Sequence, residues 1–295
     1  NIADNDFLQG HYQFSGQGSN MQGAALRNEG RITAAEGGAV ALLGGSVSNQ
    51  GTIAARRGTV ALAAGNQVKL DFAGDGLLNV QVQQSSLNAL VENHQLIEAD
   101  GGSVLMTAKA TDALLQTVVN NTGTVRARTV ENRAGKIVLL GGFDGGTTRV
   151  AGTLDASAPD GGDGGFVDTS GAHVQIEAGT RVTTRAAQGK TGTWLIDPTD
   201  FTIGAGAGPQ TASGIGADTL TANLANNNVT LQTVAAGTEA GDMHVNAAVS
   251  WNEHELTLNA HRNININAVM SVNGDGKLAL NYGGTQGNAS ATPVG

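Results

Sequence analysis

Hydrophobic and polar positions alternate along most of this chain in runs of about five residues, punctuated by glycine. In Gly51-Thr52-Ile53-Ala54-Ala55 and Gly58-Thr59-Val60-Ala61-Leu62 the branched apolar residues stand two apart. Residues two apart share one face of an extended strand, so each run predicts a short strand with one buried face. The intervening Thr, Arg, Lys, Ser and Ala tolerate solvent.

The runs repeat. Asn28-Glu29-Gly30-Arg31-Ile32-Thr33-Ala34 recurs as Asn49-Gln50-Gly51-Thr52-Ile53-Ala54-Ala55, and Asn121 precedes Gly123-Thr124-Val125-Arg126-Ala127. A degenerate copy starts at Asn93, and later copies follow Gly152 and Gly179. A second motif comes after each: Gly38-Ala39-Val40-Ala41-Leu42, Gly58-Thr59-Val60-Ala61-Leu62, Gly102-Ser103-Val104-Leu105-Met106, Gly135-Lys136-Ile137-Val138-Leu139, then Gly165 and Gly192. The predicted unit is therefore two short strands, each introduced by glycine. A sandwich or barrel also uses short strands with glycine turns, but the regular repeat of roughly 21 residues favours coils that stack like on like. The Asn residues would then form an amide ladder along the stack. The glycines would supply positive φ at tight corners. At roughly 22 residues and about 4.8 Å per coil, the chain would make about 13 coils and a rod near 60 Å long.

The framing changes near Asp197-Pro198-Thr199-Asp200. Three stretches are expected: coils over 1–196, an insertion or linker over 197–228, and Asn-rich coils continuing over 229–295. Asp218 is the expected N-cap of one short helix carrying Leu220 and Leu224. Paired apolar positions resume at Val229/Leu231, Met243/Val245, Leu256/Leu258, Ile264/Ile266 and Leu278/Leu280.

Composition sharpens this reading. Glycine is 44 of 295 residues, aromatics are 3 % and charged residues 14 %. A narrow solenoid interior has little room for large rings, which accounts for the small aliphatic core. Net charge is −9, and Arg56-Arg57 is the one adjacent basic pair. This argues against nucleic acid as a partner. No apolar run approaches the roughly 18 residues of a membrane helix. No basic segment followed by an apolar one opens the chain. Zero cysteine excludes a disulfide framework and thiol chemistry. It also suits a chain that crosses an oxidising compartment unfolded. The chain opens at Asn1 and ends in a polar run at Gly295, as a piece of a longer polypeptide would.

The sequence resembles the filamentous haemagglutinin-like exoproteins of bacterial two-partner secretion. Phe7-Leu8-Gln9-Gly10, Tyr12-Gln13-Phe14, Asn28-Glu29-Gly30-Arg31-Ile32 and Gly37-Gly38-Ala39-Val40-Ala41-Leu42-Leu43-Gly44 carry the resemblance, which continues through Val47 to Ile53 and Gly58 to Gly65. Trp194-Leu195-Ile196-Asp197-Pro198 and Val249-Ser250-Trp251-Asn252 extend it. It implies an all-β fold, a right-handed parallel β-helix solenoid with short inserted loops. It also implies export through an outer-membrane pore-forming transporter, and release or display at the surface of a Gram-negative bacterium as a large adhesin. The adhesin's host-cell, glycan or biofilm-matrix ligand is unspecified. The family's secretion domain carries Asn-Pro motifs that this chain lacks, so the chain is expected to begin inside or just after the recognition region.

Candidate chemistry is sparse. Asp155, Asp160, Asp163 and Asp168 surround a glycine-rich turn, but Phe166 stands where a calcium repeat needs Asp, and a plain turn is the better reading. His244, His254 and His261 show no ligand spacing. Asp168 with Arg181 or Arg185 is the best pair for a polysaccharide-cleaving site, and charge scatter explains it equally well. Gly204-Ala205-Gly206-Ala207-Gly208 lacks the Lys-Ser/Thr of a phosphate loop and reads as a spacer. Trp194 and Trp251 fit inward packing better than sugar stacking. No catalytic, cofactor or metal residue is assigned. The expected structural positions are Asn28, Gly30, Gly38, Asn49, Gly51, Gly58, Asn93, Gly102, Asn121, Gly123 and Gly135. The function expected is a rigid stalk and presenting scaffold of a secreted adhesin. Its rivals are a haem- or haem-carrier-binding exoprotein, the stalk of a contact-dependent toxin, and a polysaccharide-cleaving β-helix enzyme.

Overall fold

A computed structural model describes residues 2–15, 25–72, 78–86, 88–110, 116–236 and 238–283. The end of the expected 229–295 stretch and part of the segment from Phe7 to Gly65 lie outside the described residues. The fold is a right-handed parallel β-helix. Its coils carry three strands rather than the two expected. In one early coil these are Ser46–Asn49, Thr52–Ala54 and Thr59–Ala64, which belong to three different sheets. The strand that sequence reading missed is the one ending in Asn. Its signature is a single apolar residue two positions earlier: Leu26, Val47, Val91 and Val119 stack in register there.

Among the described residues the first sheet has ten strands, from Ala25–Asn28 to Ile264–Ile266, and the third has nine, from Ala39–Gly44 to Lys277–Asn281. Nine rungs at about 4.8 Å give a stack of about 40 Å. This is shorter than the expected 60 Å and holds fewer coils than 13, for a physical reason. The coil from Asn28 to Asn49 fits its three strands into 21 residues, and it is insertions that lengthen later coils. The antiparallel hairpin Gln67–Phe72/Leu78–Gln84 separates Asn49 from Asn93 by 44 residues.

The core is a set of columns. Val40, Val60, Val104, Ile137, Val167, Trp194, Val229, Leu256 and Leu278 stack along the third sheet. A second column runs Leu42, Leu62, Met106, Leu139, Thr169, Ile196, Leu231, Leu258 and Leu280. Trp194 and Thr169 are both fully buried. Trp194 Nε1 donates to Thr169 Oγ1 at 3.1 Å. The hydroxyl in a leucine column satisfies the indole N–H in the column beside it.

Gly152 and Gly179 adopt the expected positive φ, but the framing glycines of the earlier coils act differently. Gly38, Gly51, Gly58, Gly102, Gly123 and Gly135 do not adopt positive φ. Instead, a Cβ on Gly51 would stand well inside contact distance of the Gly30 carbonyl oxygen, and one on Gly58 would meet the Gly38 carbonyl. A Cβ on Gly102 would meet the Gly58 carbonyl, and one on Gly135 the Ala127 carbonyl. At Gly51, Gly58 and Gly102 glycine is required because one coil's backbone rests on the next, whereas Gly135 meets a carbonyl of its own coil across the turn. Gly30 has nothing within 4 Å of its Cβ position, since it lies in the first of these stacked turns.

Helix α1 is Asp4–Leu8 and helix α2 is Ala217–Leu224. Asp218 lies in the first turn of α2 and is not its N-cap. Gly216 takes that place without a side-chain cap. The glycine-rich spacer folds over this end, and the Gly206 carbonyl accepts the Asp218 N–H at 3.0 Å. Helix α2 follows Arg181–Thr183, the last of the second sheet's six strands, and packs against it. It also packs against Val249–Trp251, where a two-stranded sheet begins. It thus fills a rung. Asn223 Oδ1 accepts from Val182 N at 2.7 Å and Asn223 Nδ2 donates to the Thr180 carbonyl at 2.9 Å. Asn227 repeats this with Val182 O and Thr184 Oγ1. The two amide side chains replace the missing peptide groups of the rung. The same coil places Gly214–Gly216 in the first sheet between His173–Ile176 and Phe201–Gly204, adding a rung out of chain order.

Gly58→Ala is expected to destabilise the protein by about 3 kcal/mol through overpacking of stacked backbone. Gly30→Ala should stay within about 0.5 kcal/mol. Chemical denaturation of the two variants compares them directly, and equal losses would overturn the stacking explanation.

Candidate functional site

The N-terminal coils differ from the later ones at one corner. Asn28 Nδ2 donates to Asn49 Oδ1 at 2.7 Å, Asn49 Nδ2 to Asn93 Oδ1 at 2.8 Å and Asn93 Nδ2 to Asn121 Oδ1 at 2.8 Å. All four residues are buried. Each amide also bonds the turn that follows it, as Asn49 does with Gly51. The ladder closes on the backbone, with Asn121 Nδ2 donating to the Ala151 carbonyl at 2.7 Å. The next rungs of this column are Val150, Ile176, Ile215, Ile203, Val245 and Ile266. The column therefore changes from amide to aliphatic between Asn121 and Val150.

These same coils carry an added layer. Gln13–Ser15 pairs antiparallel with Gln67–Phe72, which pairs with Leu78–Gln84. Val68, Leu70 and Val80 of this small sheet pack with Ala61 and Ala63 on the outer face of the third sheet, and Tyr12, Phe14, Ala41, Leu43 and Leu105 border them. Alanine at 61 and 63 lets the second layer approach closely. Phe7 meets Tyr12 edge to face with centroids 5.4 Å apart, while Leu8 beside it is 81 % exposed.

The TPS secretion domain model matches residues 1–154, slightly more than half of the chain. The chain belongs to the TPS secretion domain family. It is part of a two-partner secretion exoprotein, a class secreted by Gram-negative bacteria with an outer-membrane transporter as export partner. The matched residues contain the whole amide ladder and the whole antiparallel layer. Among solved structures, the HMW1 secretion domain from Haemophilus influenzae is similar in fold, with a TM-score of 0.62 at 19 % identity over 95 % of this chain and 72 % of that one. No curated protein matches. No helix among the described residues is long and apolar enough to cross a membrane.

The other candidate residues of this secretion-domain chain are dispersed. Asp155 accepts from Arg128 Nε at 2.6 Å, and Asp163 accepts from Lys190 N at 2.8 Å. Asp168 is not paired with Arg181 or Arg185, because Asp168 lies on the third sheet and Arg181 on the edge strand of the second. His254 bonds the Leu224 carbonyl at the end of α2, and His244 lies beside Asn265. Among the described residues no three His, Asp or Glu side chains are placed to hold a metal ion. Trp194 and Trp251 are both buried.

The neighbour of Asp168 that sequence reading missed is Asp197. They sit on adjacent strands of the third sheet, on its outer face, where Asp168 is in register with Leu195 and Ser170 with Asp197. Burial first, and then the charge of Asp168, push the Asp197 carboxyl up to about 7, against a lowering hydrogen bond from Gln232. Burial also raises Asp168, offset by the Ser170 hydroxyl and Lys136. Asn259 Nδ2 donates to Gln232 Oε1 and Gln232 Nε2 to Asp197 Oδ2, an amide column that ends on a carboxyl. The register of one sheet face, invisible without the third dimension, brings the two acids together.

Asn49→Ala is expected to cost about 3 kcal/mol, because it strands the amide groups of Asn28 and Asn93 in the core; denaturant titration measures it. For Asp197 the sign follows from the folded state holding its proton more tightly than the unfolded chain. Its stabilisation is complete below about pH 4 and is lost as pH rises through about 7. Asp197→Asn should therefore raise Tm at pH 8.5 by about 2–4 °C, after allowance for partial solvent screening, and confer no advantage at pH 4. Melting curves at the two pH values test this, and an equal shift at both would rule it out.

Proposed function

We propose that this chain serves a secreted adhesin as a rigid β-helical stalk and presenting scaffold for cell or matrix attachment. The observation that carries the reading is the unbroken parallel ladder. The third sheet runs from Ala39–Gly44 to Lys277–Asn281 without a gap among the described residues, in a chain of the TPS secretion domain family. A stack of this kind is quasi-one-dimensional, stiff along its axis and free to vary at its corners. The proposed role is mechanical and non-enzymatic. In this reading 1–196 supplies the first coils, 197–228 an insertion and 229–295 further coils. Asn28, Asn49, Asn93 and Asn121, with Gly30, Gly51 and Gly123 after three of them, set the register in which later coils add. Coils adding in turn outside the cell would draw the chain through its transporter, so export and folding are one process.

The test co-expresses the chain with its transporter, then coats beads with the secreted product and scores their attachment to epithelial cells and to extracellular matrix. Wild type should be exported and its beads should attach. A Gly58→Val variant, unable to stack, should be exported more slowly. Export of that variant at full speed would overturn folding-driven export. Beads that attach no better than albumin-coated ones would overturn the adhesive role.

A further inference from the structure

Four consecutive turns join the third sheet to the first, with described residues 141–146, 171–172, 198–200, and 233–236 with 238–242. They run long, short, short, long. Because their coils are stacked, the two long turns become walls and the two short ones a floor. On the third sheet the walls stand three rungs apart, about 14 Å. The space between them is about 430 Å³, within the range of ligand sites.

We propose that this cleft binds a short neutral saccharide. One wall presents Phe143, which is 36 % exposed. Behind it Asp144 is held by Lys109 at 2.7 Å. The other wall presents Glu239, which accepts from the Thr199 hydroxyl and the Asp200 N–H of the floor. His173 rises from the floor. Its Nδ1 is buried without a hydrogen-bond partner and lies 3.9 Å from Glu239 Oε2, too far for a direct bond. An unused ring nitrogen beside a carboxylate suits a hydroxyl, which can donate to one and accept from the other. An aromatic ring at the rim suits the apolar face of a sugar ring. The two wall carboxylates, with Lys109 already engaged, disfavour an anionic ligand. A peptide strand would need an open sheet edge, and this floor lies in the interior of the ladder.

The cleft is built rigidly. His173 N donates to the Gly146 carbonyl and Ala172 N to that of Gly142, tying floor to first wall. Val234 N donates to the Pro198 carbonyl, and Asp200 Oδ1 accepts from Gly241 N and Asp242 N, tying floor to second wall. Gly142, Gly146 and Gly241 have positive φ, which these wall turns require.

Such a site deepens the adhesive reading and rests on it only for its biological use. The test is saturation-transfer NMR and titration of the purified chain with lactose, maltose, cellobiose and mannobiose, with sialyllactose as the anionic comparison. At least one neutral disaccharide should bind and sialyllactose more weakly. Phe143→Ala and His173→Ala should each weaken binding roughly tenfold while leaving the melting curve cooperative. No transfer to any neutral disaccharide, equal or tighter binding of sialyllactose, or binding unchanged in both variants would each overturn the proposal. Saccharide binding without cell attachment would overturn the adhesive reading and leave the cleft. Cell attachment without saccharide binding would do the reverse.

Discussion

Everything in this molecule depends on parallel strands stacking in register at a single interstrand distance. Each backbone group bonds the coil on either side, so each position meets its own counterpart above and below. A side chain must then be compatible with copies of itself. Val on Val and Leu on Leu satisfy this in the interior. Asn on Asn satisfies it at a corner, because an amide both donates and accepts. Where the main chain of one turn lies on the main chain of the next, only glycine fits.

The departures from the repeat show how strict the constraint is, since each carries its own repair. Trp194 enters a valine column opposite Thr169, which receives its N–H. Helix α2 stands in for a strand, and Asn223 and Asn227 supply the peptide-like groups the strand would have supplied. Asp197 ends an outer amide column with a carboxyl, whose pKa is raised by burial and by the charge of Asp168 against the hydrogen bond from Gln232. Repairs of this kind leave the ladders continuous through irregular sequence.

Rigidity of the ladders frees the corners. Turns differ in length from coil to coil without disturbing the sheets, and they hold the exposed chemistry of this chain. The N-terminal coils that the secretion-domain family shares combine the amide ladder with the antiparallel layer over Ala61 and Ala63. Beyond Asn121 the corner column becomes aliphatic. The features marking the family segment are thus additions to the solenoid, and the solenoid itself runs on past them.

The all-β character and the stacked-coil architecture were legible from alternation and from the spacing of Asn and Gly, because a stack repeats its sequence wherever it repeats its contacts. The apolar strand pairs from Val229 to Leu280 were legible for the same reason. The third strand of each coil was not, since one inward residue before Asn leaves too short a pattern to detect. The purpose of the framing glycines, the N-terminus of α2, the pairing of Asp168 with Asp197 and the cleft around His173 were decided by tertiary structure alone. Each depends on which turn lies above which, and residues up to nearly 100 positions apart come together only when coils of unequal length are stacked at a fixed rise.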